Sequence, residues 1–264
     1  MRYLFSARGE IGKALRGKFL YLFLDYDGTL APIARTPGKA IMPDNVRDLL
    51  RRLSEMPNRK IAVVSGRSLK DVSKRVGLKN IVYVGNHGFE IKGPKIKFKS
   101  PAPVQYRSML KEIKGKLKKG LSKFRRVLIE DKGFSLSVHY RLADKKDIPA
   151  IKAEFHSIVF LYELKNKVQI KPGKMVLEIR PPVRWNKGKV VLWLLGRRLF
   201  AMRNKKTKVL PVYIGDDITD EDAFESLKDK GMTIFVGRPK KTGAQFYLKS
   251  PGEVAIFLNE ILKN

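Results

Sequence analysis

Four stretches of this chain stay apolar over the length of a strand and then turn polar at once. They are KFLYLFLD, ending at Asp25, KIAVVSG, ending at Gly66, NIVYVGNHG, ending at Gly88, and VLPVYIGDD, ending at Asp217. A run without alternation predicts a strand covered on both faces. Between the runs the period lengthens. PDNVRDLLRRLSEM sets Val46, Leu49, Leu50 and Leu53 at helical spacing, which predicts a helix with Asp44 as its cap. A second helix is predicted to begin near Ser68. Strands alternating with amphipathic helices predict an α/β fold with a parallel sheet. Each strand empties into glycine or polar residues at its carboxyl end, the edge where open α/β sheets place their ligands.

From Phe98 to Arg180 the pattern changes. SPAPVQYRSMLKEIKGKL reads as a proline-marked entry into a helix, and RVLIEDKG and FSLSVHYRL read as strands paired across a glycine turn. A helix from Ile148 to about Tyr162 and a strand at KMVLEIRP follow. The expectation is a smaller α+β domain, 100–180, inserted into a core formed by 1–99 and 181–264. No internal repeat is visible, and KEIKGKLKKGLSK is lysine-rich without being a low-complexity linker.

Composition narrows the chemistry. The chain has 264 residues, 43% hydrophobic and 31% charged, enough to bury a sizeable core. It has no cysteine, which excludes disulfides, thiolate nucleophiles and thiolate metal sites. MRYLFSARGEIGKALRGKF carries no sustained apolar core of a signal sequence, and runs such as Val190 to Leu195 are far too short to cross a bilayer. The expectation is a cytoplasmic protein, monomeric and with no membrane partner.

The net charge of +31 suggests polyanionic partners, but it is spread evenly. Residues 101–180 hold 19 basic against 8 acidic residues, close to the density elsewhere, so no basic arm stands apart. A solvated basic surface that attracts phosphate esters accounts for this better than dedicated nucleic-acid binding. The acidic residues behave differently. Seven of the 25 fall between Asp216 and Asp229, as expected of a cation site, a helix cap, or both.

Against that background DYDGT, at 25–29, acquires a chemical meaning. Asp25 at a strand's carboxyl end is placed to attack phosphorus and form an aspartyl-phosphate. Asp27 can protonate the leaving oxygen and then deprotonate water. Gly28 turns the chain away, and Thr29 and local amides can hold phosphate oxygens. An attack of negative charge on negative charge needs cations: the GDD carboxylates suit Mg²⁺, and a lysine is wanted at the phosphoryl group. Ser65 can add a neutral hydrogen bond. Each residue alone has a plainer reading. Ser65 could simply cap the next helix, Asp220, Glu221 and Asp222 could complement a helix dipole, and His87 could merely order its loop.

The four motifs together, DYDGT, Ser65 in VVSGR, Lys187 in WNKGK and GDDITDE at 215–221, resemble the haloacid dehalogenase superfamily. GNHGFEI, EDKGFSLSVHYR, GKMVLEIRP and GDDITDEDAF are similar, more narrowly, to the trehalose-6-phosphate phosphatases, from about Lys18 to the carboxyl terminus. The resemblance implies a Rossmann-like core, a mobile α+β cap inserted after the third strand, and Mg²⁺-dependent hydrolysis of trehalose 6-phosphate. It makes Asp25 the nucleophile, Asp27 the general acid and base, and Ser65 and Lys187 catalytic partners. Asp25, the Asp27 backbone carbonyl and Asp216 would ligate the metal, supported by Asp217 and Asp220. Substrate contacts would come from Thr29, Gly66, Arg67, Asn86 and His87. From the cap they would come from Glu130, Lys132, His139, Arg141, Lys174 and Glu178.

Two other readings remain at this stage. A phosphatase of the same type acting on another sugar phosphate differs only in a few cap contacts. A nucleic-acid-end phosphatase, or a basic nucleic-acid-binding module on a degenerate fold, would suit the charge. The cap motifs and the lack of an aromatic and basic platform for bases count against the end phosphatase, and the intact Asp25, Asp27, Lys187 and Asp216 count against the degenerate module.

Overall fold

Strand β2 (Phe19–Leu24) shows how the core is organised, because all six of its side chains are buried. In the computed structural model, which describes residues 1–99, 104–183, 185–202 and 207–263, its two faces meet two different apolar layers. Leu20, Leu22 and Leu24 pack with Val46, Leu50 and Phe257, while Tyr21 and Phe23 pack with Val190, Leu194 and Phe224. Fully burying one such side chain stabilises the fold by roughly 1.5–3 kcal/mol. That is why the run carries no polar residue until it ends.

Around β2 the elements follow in chain order. β1 (Arg2–Tyr3) and α1 (Arg8–Leu15) precede it, and α2 (Asp44–Glu55), β3 (Arg59–Val64), α3 (Leu69–Val76) and β4 (Val82–Gly85) follow. The hairpin β5 (Glu90–Gly93) and β6 (Ile96–Lys99) comes next. After the smaller unit the chain returns with α6 (Lys187–Ala201), β11 (Val209–Gly215), α7 (Glu221–Leu227), β12 (Met232–Val236), β13 (Phe246–Leu248) and α8 (Pro251–Lys263). The sheet order is β1-β13-β12-β11-β2-β3-β4-β5-β6. Every pair from β1 to β4 is parallel, and β5 and β6 add an antiparallel edge. The predicted parallel α/β sheet is present, with β2, β3, β4 and β11 forming from the four apolar runs.

One helix start differs from expectation. Pro43 occupies the cap of α2 and Asp44 lies inside the first turn, where it pairs with Arg47 at 2.8 Å instead of capping. Proline fixes an extended entry, so the helix begins one residue earlier than a capping Asp44 requires. At α3 the expectation holds, and the Ser68 hydroxyl accepts from the Asp71 amide.

The chain forms two compact units, Met1–Ala34 with Gly38–Lys99 and Trp185–Asn264, and Arg35–Pro37 with Ser100–Arg184. The smaller unit holds α4 (Val104–Gly120), β7 (Leu128–Asp131), β8 (Leu136–His139), α5 (Ile148–Leu164), β9 (Gln169–Gly173) and β10 (Val176–Arg180). Its four strands make an antiparallel sheet ordered β7-β8-β10-β9. One face, with Leu136, Val138, Leu177 and Ile179, packs on Ile113, Leu117, Ile151 and Phe155 of the helices. Strand alternation therefore gathers Glu130, Ser137, His139, Glu178 and Arg180 on the other face. The helix predicted from Ile148 runs to Leu164. The prolines at 101 and 103 lie outside the described residues.

Candidate active site

At the carboxyl edge of the larger sheet, neighbouring strands deliver the motif residues one beside another. β2 leads into Asp25, whose amide donates to the Ile214 carbonyl at 2.9 Å and so fastens the turn to β11. β3 leads into Ser65, β4 into Asn86, and β11 into Asp216. α6 opens with Lys187, after Asn186 caps it by accepting from the Lys189 amide at 2.9 Å. Gly28 has φ 79°, and a Cβ there would overlap the Asp216 carboxylate. Only glycine lets the DYDGT turn approach the acidic loop this closely.

The centre is a buried ionic network. The Lys187 ammonium lies 3.1 Å from Asp25 Oδ1 and 2.7 Å from Asp220 Oδ1. Asp220 Oδ1 also accepts the Tyr213 hydroxyl at 2.7 Å, and its Oδ2 accepts the amides of Asp216 and Asp217 at 3.0 and 2.9 Å. Asp220 is thereby a brace for the loop and for the lysine. Asp217 caps the following turn by accepting from the Ile218 amide at 2.8 Å.

The electrostatics are strained in one direction. Burial raises the Asp25 carboxyl well above its usual range; Lys187 opposes this, while Asp220, Asp216 and Asp27 add to it. Burial works against the Lys187 ammonium too, but Asp220 and Asp25 outweigh it and hold the proton firmly. Tyr213 is raised by burial and then by Asp220 and Asp25, so its hydroxyl stays a donor.

Oxygens of Asp25, Asp216 and Asp220 lie within 4.8 Å of one another. Three buried carboxylates drawn together form an all-oxygen donor set, which suits a hard dication such as Mg²⁺. With Asp220 occupied by four donors, the residues that fit the ion are Asp25 and Asp216. A dication there would reverse the upward pressure on Asp25.

Asp27 stands apart from this network. Arg67 clamps its carboxylate with two hydrogen bonds, Nε to Oδ2 at 2.7 Å and Nη2 to Oδ1 at 2.6 Å. Arg67 also holds Asp71 at 2.6 Å, and Asp71 pairs with Arg75. Burial works against the Arg67 charge, but Asp27 and Asp71 raise it overall. Ser65 accepts from the Arg67 amide at 3.1 Å. Gly66 leaves room for the His87 imidazole, which a Cβ would strike. Asn86 and His87 adopt left-handed backbone at φ 49° and 56°, fastened by Asn86 N to the Arg67 carbonyl and His87 N to the Ser65 carbonyl. Thr29 Oγ1 is buried with no hydrogen-bond partner. An orphaned hydroxyl beside Asp25 is what an incoming oxyanion would satisfy.

The polar face of the smaller sheet pairs off the residues expected there. Glu178 Oε1 accepts Ser135 at 2.9 Å and Lys132 at 3.1 Å, while its Oε2 accepts Arg180 at 2.6 and 2.9 Å. Glu130 meets His139 at 2.8 Å, and Arg141 donates to the Lys174 carbonyl at 2.6 Å. Sequence reasoning missed Tyr213, Asp71, Ser135 and Arg180. The spacing of Arg67, Asp71 and Arg75 at i, i+4, i+8 was a visible signal for one of them. The period-2 positions of Ser135 and Arg180 were a signal for two more. Tyr213 left none, since an aromatic within an apolar run reads as core.

Fold and site together define the haloacid dehalogenase type of α/β protein, in which a parallel sheet delivers an aspartate, a serine and an acidic loop, and a helix start delivers a lysine between the last two in chain order. Comparison with known proteins narrows the class. The trehalose-phosphatase family model matches residues 23–251. The probable trehalose-phosphate phosphatase D of Arabidopsis thaliana is 37% identical over 267 residues, covering 96% of this chain and 70% of the relative. Trehalose 6-phosphate phosphatase RA3 of Zea mays is 36% identical, covering 94% and 71%. The solved C-terminal domain of C. albicans trehalose-6-phosphate phosphatase superposes with a TM-score of 0.81 at 27% identity, covering 99% of this chain and 98% of that one. This chain belongs to the trehalose-phosphatase family, and it is a phosphoric monoester hydrolase. Among the described residues no helix is long and apolar enough to cross a membrane.

Proposed function

We propose that this protein hydrolyses trehalose 6-phosphate to trehalose and phosphate, with Mg²⁺, through a phosphate ester of Asp25. The observation that carries the reading is the buried Asp25 carboxylate at the end of the central strand. Lys187 lies 3.1 Å away, and Asp216 lies within metal-sharing distance. Mg²⁺ held by Asp25 and Asp216 would supply Lewis-acid polarisation of a phosphoryl oxygen and offset the charge that builds up there.

The chain's own groups do the rest. The substrate phosphate competes with Asp27 for the Arg67 guanidinium, a bidentate ligand for either anion. Asp27, released in this way, takes the proton of the entering phosphate monoanion and turns to the leaving oxygen. An Asp25 oxygen bonds to phosphorus as the bond from phosphorus to the sugar oxygen breaks, and Asp27 gives that oxygen its proton. Water next gives a proton to Asp27 and attacks the same phosphorus, which releases phosphate and restores Asp25. Lys187, Ser65 and Thr29 hold the phosphoryl oxygens through the transfer. We assign recognition of the sugar to the 100–180 block, on the polar face with Glu130, Lys132, His139 and Glu178 and on its neighbours Arg141 and Lys174.

The test is phosphate release across a panel of sugar phosphates, with Mg²⁺ and with chelator, for wild type and Asp25→Asn. Trehalose 6-phosphate should lead the panel, chelation should abolish turnover, and Asp25→Asn should be inactive while folded. Another sugar phosphate turned over better would overturn the substrate. Normal turnover by Asp25→Asn, with deamidation excluded by mass spectrometry, would overturn the mechanism.

A further inference from the structure

The opposite edge of the same sheet gathers positive charge. Tyr21 and Lys60 are register partners near the amino ends of β2 and β3. α6 starts beside Asp25 and runs back along this face, so its last turn brings Arg197 and Arg198 to the far edge. The Arg198 guanidinium carbon sits 3.9 Å from the centre of the Phe19 ring, and Lys60 Nζ sits 5.4 Å from that of Tyr21. Arg197 lies over Trp193 at 5.2 Å. Among the described residues no carboxylate pairs with any of the three cations.

Arginines in the last turn of a helix complement its dipole, and that explains part of the cluster. It does not explain the polar atoms underneath. Tyr21 is fully buried and stacked on Phe23 at 4.2 Å, and its hydroxyl has no hydrogen-bond partner. Arg198 Nε is likewise buried without one. Native structures leave few such groups unpaired, and each needs a reason. Lys60 is held below the usual lysine range by burial and then by Arg198 and Arg197, so the cations repel one another across the gap. An oxyanion placed among them would relieve the repulsion and pair the orphaned donors at once.

We propose that Lys60, Arg197, Arg198 and the Tyr21 hydroxyl form a second oxyanion site, for inorganic phosphate or a small phosphate ester, at the amino-terminal edge of the sheet. Two guanidinium groups offer planar forks that match phosphate, the ammonium adds a point charge, and the phenol adds a neutral donor. Four residue steps along the chain separate Tyr21 from Asp25, about 13 Å at the usual strand rise, so one phosphate cannot serve both places. The depth of the Tyr21 hydroxyl fits a small ion better than a polymer lying on the surface. The site stands independently of the reaction proposed above.

The experiment uses metal-free protein in chelator, where the three carboxylates of the catalytic edge repel anions. Inorganic phosphate is titrated at constant ionic strength against sodium chloride, with thermal midpoint and tryptophan fluorescence as readouts. We expect a saturable rise in midpoint that chloride does not give, with a fluorescence change from Trp193 over the same range. Lys60→Ala combined with Arg198→Gln should raise the half-saturating concentration at least tenfold. Arg197→Gln alone, which keeps the buried groups, should raise it severalfold should the double variant fail to fold. Tyr21→Phe should weaken binding without lowering the midpoint measured without phosphate, because it removes an orphaned hydroxyl. Ser65→Ala at the catalytic edge should leave the titration unchanged. The proposal is overturned if phosphate does no more than chloride, if the far-edge variants bind as wild type does, or if Ser65→Ala abolishes the effect. A polyuridylate that displaces phosphate at lower concentration would overturn the small-ion assignment in favour of an extended polyanion surface.

Discussion

Replacing Lys187 by methionine keeps the length and apolar stem of the side chain and removes only the charge. The ammonium is 2% exposed and touches two carboxylates that are themselves almost wholly buried, so solvent cannot take its place. Breaking a buried pair by deleting one partner costs about 3–5 kcal/mol, because the other charge is left uncompensated. Asp220 keeps Tyr213 and two amides, and Asp25 keeps the Tyr26 amide at 2.8 Å, which places the expected loss near the lower end of that range. For a chain of this size about 3 kcal/mol lowers the thermal midpoint by roughly 6–12 °C. The assay is thermal unfolding by circular dichroism in chelator and again with excess Mg²⁺. Mg²⁺ should recover part of the loss, since a dication at the proposed Asp25 and Asp216 site would supply what the ammonium did. Acid should recover part as well. Lys187 is the main opposing influence on the raised Asp25 carboxyl, so removing it lifts that carboxyl further. Between the unfolded value near 3.8 and the higher folded one, the native state binds the extra proton, so stability falls as pH rises. The variant should therefore lie closest to wild type at the acid end. A midpoint in chelator within about 2 °C of wild type, well below the loss expected here, would refute the reasoning.

Asp71 tests the opposite sign: burial pushes its carboxyl up, but Arg75 and Arg67 hold it below its usual 3.8, so its stabilisation is present above that value and lost as pH falls through the lower folded one. Asp71→Asn should flatten the acid limb of a stability-against-pH curve, and an unchanged limb would count against the clamp. Tyr213→Phe removes one of four donors on Asp220 and should lower kcat by about tenfold with KM little changed, as expected for a brace worth roughly 1.5 kcal/mol; an equal rise in KM would show substrate contact instead. Lys174→Ala and Glu178→Gln should each cost about ten- to a hundred-fold in kcat/KM on trehalose 6-phosphate and leave a small aryl phosphate nearly untouched. Equal losses on both substrates would make these residues supports of the fold.

What the sequence revealed and what it hid divide along a physical line. β2, β3, β4 and β11 announced themselves because strands buried on both faces tolerate no polar residue. The acidic loop and the DYDGT turn stood out because carboxylates are scarce in a chain of net charge +31. The strands at or next to the sheet margins, β5, β6, β9 and β13, were silent. Strands such as KPG in β9 or IKFK in β6 are half exposed, so they carry mixed residues and no clean period. At the site, residue identities were legible but their partners were not. That Arg67 clamps Asp27, or that Glu178 satisfies Lys132, Ser135 and Arg180 together, depends on register and rotamer. Neither leaves a mark in composition.

The same distinction separates three carboxylates that look equivalent along the chain. Asp25, Asp216 and Asp220 come within 4.8 Å, yet their surroundings divide the work. Four donors on Asp220 leave it no capacity for a ligand exchange and every capacity to hold Lys187 and the loop amides in place. Among the described residues Asp25 accepts from Lys187 and one amide alone, and burial keeps its charge costly. In the proposed transfer that cost favours reaction, because a bond to phosphorus would disperse the charge. The brace and the proposed nucleophile are thus parts of one arrangement, in which the stability gained at Asp220 offsets what Asp25 gives up to stay poised.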